Sequence, residues 1–100
     1  MKIAVKMDPI DNVAVVMQDV DAGDQVSIGR EKVITAIDKM NRGHKIAVDR
    51  ILAGEYITKY GVSIGKAASD IKQGMHVHTH NVLDITREVN GYSLDGGGDL

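Results

Sequence analysis

Apolar positions along this 100-residue chain fall in short bursts of five to nine residues, each closed by a polar or glycine-bearing turn. Bursts of that length rich in Val and Ile predict strands, because β-branched side chains lose rotamer freedom on a helix and fit a pleated surface. The pattern predicts strands at Lys2–Met7, Asn12–Val20, Lys32–Ile37, Lys45–Asp49, Tyr56–Tyr60 and His76–Val82. Pro9, the single proline, closes the leading strand. Val33, Ile34, Ile37 and Met40 recur at a spacing that also suits one or two helical turns, and a strand is the reading adopted. Gly65–Ile71, with small residues and no β-branched run, suits a helical turn or a plain connection. Residues 92–100 hold three consecutive glycines and no apolar period, so a flexible tail is expected behind a single domain of residues 1–91.

Four glycines share one frame. Gly23, Gly43, Gly54 and Gly74 each have an aliphatic residue three positions before and three after, at intervals of 20, 11 and 20. The pairs are Val20 and Val26, Met40 and Ile46, Ile51 and Ile57, and Ile71 and Val77. Such a frame makes sense as a strand end, a turn in which glycine takes a positive φ at little cost, and a new strand whose apolar residue returns to the same core. The resulting expectation is an all-β domain, a compressed and partly irregular barrel or clip with at most one or two helical turns.

Composition narrows the function. Twelve Val and eleven Ile stand against four Leu, which reinforces the strand reading. A net charge of −2 without a basic half leaves no electrostatic footprint for nucleic acid. With no Phe, no Trp and three tyrosines, a base-stacking platform cannot be assembled. The absence of cysteine excludes disulfides, thiolate metal sites and a cysteine nucleophile. The longest apolar run, Val13–Met17, is far short of the roughly 20 residues that span a membrane. No basic-then-apolar leader opens the chain, and a cytoplasmic location is expected.

Chemistry concentrates in Met75-His76-Val77-His78-Thr79-His80-Asn81, which holds three of the four histidines. On a strand, alternation places all three on one side, with neighbours about 6.6 Å apart and the outer pair about 13 Å apart. With metal–nitrogen distances near 2.0–2.1 Å, one ion cannot take all three. His76 with His78, or His78 with His80, makes a feasible half-site, and the remaining ligands must come from elsewhere in the chain or from a partner. Neutral imidazole serves equally as ligand or base. The alternative is a solvated polar stripe. His44 follows a frame glycine and precedes Lys45, so the two could present hydrogen-bonding and cationic groups to an anionic substrate. Lys59-Tyr60-Gly61 is a weaker substrate-facing turn, with Tyr60 more often a core aromatic whose hydroxyl lies at the edge. Asp8, Asp11, Asp19, Asp21 and Asp24 do not fit a calcium-loop register and are expected to serve turns. No nucleophile elbow, phosphate loop, dinucleotide fingerprint or His-Glu-x-x-His motif is present.

Five segments in order, Asp11-Asn12-Val13-Ala14-Val15, Gly43-His44-Lys45-Ile46-Ala47, Ala53-Gly54-Glu55 with Ile57-Thr58-Lys59-Tyr60-Gly61, Ile64-Gly65, and Ile71 through Asn81, resemble the small subunit or N-terminal domain of the altronate and galactarate dehydratase family. The sulfolactate sulfo-lyase small subunit is similar. The resemblance implies an SAF-type β-clip fold and a lyase that uses Fe2+ or Mn2+, bound mainly by a large subunit. It implies elimination of water from a sugar acid to a 2-keto-3-deoxy acid or, in the sulfolactate branch, release of sulfite. Carried onto this sequence, His76, His78 and His80 are the catalytic candidates, with His76 and His78 also as metal ligands, and His44, Lys45 and Asn81 as substrate contacts. Fused members continue into a large domain, whereas here Leu83 leads to a glycine-rich end, so either the large part is a separate chain or this is an excised domain, and a separate large chain is the expected partner. A non-catalytic carbohydrate-binding or assembly module, and a small metal-delivery protein, are the alternatives.

Overall fold

A computed structural model describes residues 1–85. The expected domain end at residue 91 and the tail at 92–100 lie outside the described residues. Those described are all-β: β1 (Lys2–Val5), β2 (Val13–Val16), β3 (Gln25–Ile28), β4 (Lys32–Thr35), β5 (Lys45–Ala47), β6 (Tyr56–Lys59), β7 (Val62–Ala67), β8 (His76–Val77) and β9 (Val82–Leu83), with one 3-10 turn at Thr79–Asn81. One sheet runs β4-β3-β1-β2-β5-β8 and the other β6-β7-β9. Pairing is antiparallel except between β1 and β3. Among the described residues, no helix is long and apolar enough to cross a membrane.

The glycine frame organises the architecture. All four frame glycines have positive φ, from 85° to 93°, and all eight flanking aliphatics are buried. The turns then join in pairs: Val20 bridges Met40, and Ile51 bridges Ile71. Consequently residues 13–43 and 44–74 are wired alike. Gly23 and Gly54 donate to the carbonyls of Ala36 and Ala67, both at 2.8 Å, and Gly43 and Gly74 donate to those of Val16 and Ala47, both at 2.9 Å. Each half also carries a hairpin, β3–β4 in the first and β6–β7 in the second. Gly74 has a second constraint, because a Cβ there would stand 2.2 Å from the Thr35 carbonyl oxygen.

Two apolar cores result. The first gathers Ala14, Val16, Val26, Ile28, Ile34 and Ile46, among others, and the second gathers Val13, Ala47, Ile51, Ile57, Ile71 and Val77. Strand alternation sends Ile46 into the first core and Ala47 into the second, so β5 stands between them. The start of β5 is thereby held from both sides, and His44 and Lys45 sit there.

Four expectations change. β3 joins the list because Gln25-Val26-Ser27-Ile28 buries only its two apolar residues, an alternation too short to stand out in the sequence. Gly65–Ile71 is not helical: Gly65 and Ala67 are buried on β7, and Gly65 lies opposite Ile57. The strand expected at His76–Val82 is interrupted by the 3-10 turn, so His80 leaves the strand register. The aspartates do serve turns. Asp11, although 2% exposed, accepts bonds from the backbone N–H groups of Asp8, Tyr60 and Gly61, and Asp24 accepts one from Asp21. Tyr60 is an exposed hairpin-tip residue with a φ of 57° rather than a core-edge aromatic.

Candidate metal centre

Antiparallel pairing of β5 with β8 places Ile46 opposite His76 and Lys45 opposite Val77. The frame position after each glycine explains why His44 reaches across. In three turns that residue folds back on its own loop: Asp24, Glu55 and Met75 accept bonds from the backbone N–H groups of Asp21, Leu52 and Lys72. The fourth turn differs, and the His44 ring faces β8. Its Nδ1 lies 2.9 Å from His76 Nε2.

Three imidazoles stack at this point. Ring centroids are 5.1 Å apart for His44 and His76, 4.5 Å for His44 and His78, and 5.3 Å for His76 and His78. One nitrogen from each of the three lies within 4.8 Å of the others, and all three residues are half-buried. Burial, then the His44 charge and the other neighbouring rings, lower the His76 pKa against an opposing pull from Asp38. Burial and then His44, Lys45 and His80 lower that of His78. Both shifts favour neutral imidazole, the form that ligates a metal. Three nitrogen donors suit iron better than manganese, whose preference is for oxygen ligands, so of the two ions that the family resemblance implies the donor set fits iron.

The backbone around these rings is fixed by two side chains. Asn81, 4% exposed, donates from Nδ2 to the His76 carbonyl at 2.8 Å and accepts from the His78 N–H at 2.9 Å. Its amide is thus engaged behind the histidines rather than offered to the outside. Asp38 accepts from the His76 N–H at 2.9 Å. No motif in the sequence signals Asp38, which lies far from the histidine segment along the chain.

A cleft of about 360 Å³ lined by Lys39, Met40, Asn41, His44 and His76 opens on one side. A smaller cavity of about 60 Å³ lies by Lys45, Ile64, His78, Thr79 and Val82. Burial and then the Lys59 charge lower the Lys45 pKa. Of the sequence candidates, His44, His76 and His78 converge, Lys45 borders them and Asn81 supports them. His80 is exposed on the 3-10 turn, with its ring 5.3 Å from His76 and tilted by 40°. The convergence of His44 with the other two was not legible from spacing, although both segments follow frame glycines.

Relatives share this chain's sequence over most of its length. It is 39% identical over 88 residues to altronate dehydratase of Escherichia coli (strain K12), covering 88% of this chain and 18% of that protein. It is 36% identical over 93 residues to altronate dehydratase of Bacillus subtilis (strain 168), covering 93% of this chain and again 18% of the relative. Against (2R)-sulfolactate sulfo-lyase subunit alpha of Paracoccus pantotrophus, identity is 44% over 48 residues, which are 48% of this chain and 72% of that subunit. The altronate/galactarate dehydratase SAF domain matches residues 2–84, a span that takes in both paired glycine turns and all four histidines, and the chain belongs to that family.

Proposed function

We propose that this chain is the small part of a metal-dependent sugar-acid dehydratase of the altronate type, and that it completes an active site with a larger partner chain. The observation that carries the reading is the convergence of His44, just before β5, with His76 and His78, on and just after β8, which brings one nitrogen of each within 4.8 Å of the others. Its relatives support it: altronate dehydratases match most of this chain, and the chain spans only 18% of their length. Coverage by the sulfolactate relatives is narrower.

In this reading His44, His76 and His78 hold a divalent ion, iron in preference to manganese, with oxygen ligands supplied by substrate or by the partner. When bound, the ion supplies Lewis acidity for negative charge that develops next to a carboxylate. The chain's own residues do the rest. Asn81 and Asp38 hold the β8 backbone so that the rings keep their positions. His80, outside the converging set and exposed, is the imidazole free to accept or return a proton at a ring nitrogen. Lys45 brings a compact positive charge beside His78.

Reconstitution tests the reading. The chain alone is expected to show no dehydration of altronate, and activity should emerge on mixing with a large dehydratase chain. His78→Ala should then lower turnover, and undiminished turnover in a chain lacking His44, His76 and His78 together would sink the catalytic role. Calorimetry with ferrous ion should show binding by the isolated chain that His44→Ala removes. Assay of sulfolactate beside altronate separates the two family branches.

A further inference from the structure

One face of the six-stranded sheet is covered over only part of its width. At the β5–β8 end this face carries Val13, Ala47 and Val77, which close the second core against Ile57 and Ala67 of the smaller sheet. Along β2 the cover then runs out: Val13 is buried and Val15 half-buried, and Met17, next in the same alternation, is exposed. Register carries the same side across the sheet. Val15 lies opposite Val5 on β1, while Ile3 lies opposite Ser27 on β3 and Ser27 opposite Val33 on β4. Ile3, Val5 and Val33 are 49%, 37% and 49% exposed.

Strand β1 shows how far this departs from a solvated face. It lies inside the sheet, between β2 and β3, with Ala4 in the first core and Lys2 and Lys6 flanking Ala4 on that side. A sheet with one face in water points its apolar residues inward and its polar ones outward. On β1 the outward residues, Ile3 and Val5, are the apolar ones. No charged residue interrupts Ile3, Val5, Val15, Ser27 and Val33, and among the described residues no element covers them. Contiguous apolar exposure across four adjacent strands marks a contact surface.

The uncovered face leads to the histidines. Val15 lies opposite Lys45 on β5, and Lys45 opposite Val77 on β8, so Val5, Val15, Lys45 and Val77 form one row, and Lys45 borders the small cavity with His78. A body seated on Ile3, Val5 and Val15 therefore ends beside the histidine cluster. All nine strands fall within the residues 2–84 that match the dehydratase SAF domain. This chain spans only 18% of the altronate dehydratases that it matches, so in them the matching stretch is borne on a far longer polypeptide. A second copy seated here would hide the same apolar area, whereas the larger chain accounts both for the uncovered face and for the ligands that three histidines alone do not supply. We infer that the face formed by Ile3, Val5, Val15 and Val33 is the seat of the larger dehydratase chain, met by an apolar surface of that chain, and that this contact brings it up to the histidine cluster. The identity of the partner rests on the two-chain reading above.

Sedimentation velocity and altronate turnover test it, measured on the full chain titrated with a large dehydratase chain that has no such domain of its own. Val5→Glu and Val33→Glu each place a charge in the contact and should raise the concentration needed for half-maximal complex and activity at least about tenfold, with turnover at saturation unchanged. Both positions are exposed, so the variants should fold, and an unaltered urea midpoint checks this. Ile3→Thr, a milder change that keeps strand propensity, should weaken the complex in the same direction. Leu52→Glu, at a comparably exposed apolar position on a turn of the second half, should titrate as the parent does. The docking face is overturned if both glutamate variants titrate like the parent, if Leu52→Glu is impaired as much as they are, or if the parent forms no complex. It is overturned equally if the chain alone forms a dimer that Val5→Glu dissociates and the large chain does not displace. A complex that Val5→Glu weakens but that turns over no altronate keeps the face and counts against the dehydratase reading.

Discussion

Residues 13–43 and 44–74 have the same backbone wiring and differ in what their opening positions carry. The first copy opens on Val13 and Ala14, both buried, while the second opens on His44 and Lys45, both half-buried beside β8. Strands β2 and β5 are adjacent and antiparallel, with Ala14 opposite Ile46. The difference therefore lies in side chains and surroundings rather than in backbone plan. Each copy supplies a closed core, and the second in addition, at the sheet's β5–β8 end, leaves polar groups half-buried at its opening. Fold stability and site chemistry are thus separable along the chain, which mutation can check.

The largest effect should come from the two glycines that close equivalent turns. Gly43→Ala meets no atom within 4 Å and suffers only from its φ of 88°, at a cost of about 1 kcal/mol. Gly74→Ala suffers a similar backbone strain and also drives a Cβ into the Thr35 carbonyl, so a loss of about 4 kcal/mol or failure to fold is expected. Urea unfolding of the two variants measures the gap; equal midpoints would show that the turns are interchangeable after all.

The hairpins give the next contrast. The first turns through Gly29, with φ 52°, and the second through Tyr60 and Gly61, whose amides are clamped by buried Asp11. Asp11→Ala leaves three backbone donors without that acceptor and should cost about 2–3 kcal/mol. Hydrogen exchange should accelerate at Tyr60 and Gly61 and stay unchanged at Glu31 in the first hairpin. Uniform acceleration would mean that Asp11 supports the whole domain instead of one hairpin.

The smallest effect on stability should carry the largest functional meaning. Val13→Ala empties a buried position in the second core and should cost about 2 kcal/mol without altering ferrous-ion affinity. His44→Ala, at the matching place in the second half, should cost under about 1 kcal/mol and lower that affinity at least tenfold. Stability follows from denaturant curves and affinity from calorimetry. A reversal of the two results would remove the division between core copy and site copy.

The amino-acid sequence by itself determined the strand-rich class, the four glycine turns and the histidine-bearing segment. Each of these is a local property: β-branched content, an aliphatic–glycine–aliphatic spacing, or neighbouring residues in one segment. Family resemblance was equally legible, since it rests on the order of such segments. Only the tertiary structure decided that His44 joins His76 and His78, and that Asn81 turns inward to hold them. Those facts depend on which strands pair and in what register. Register is set by the summed burial of both cores and the bridges between paired turns, so no short stretch of sequence carries it.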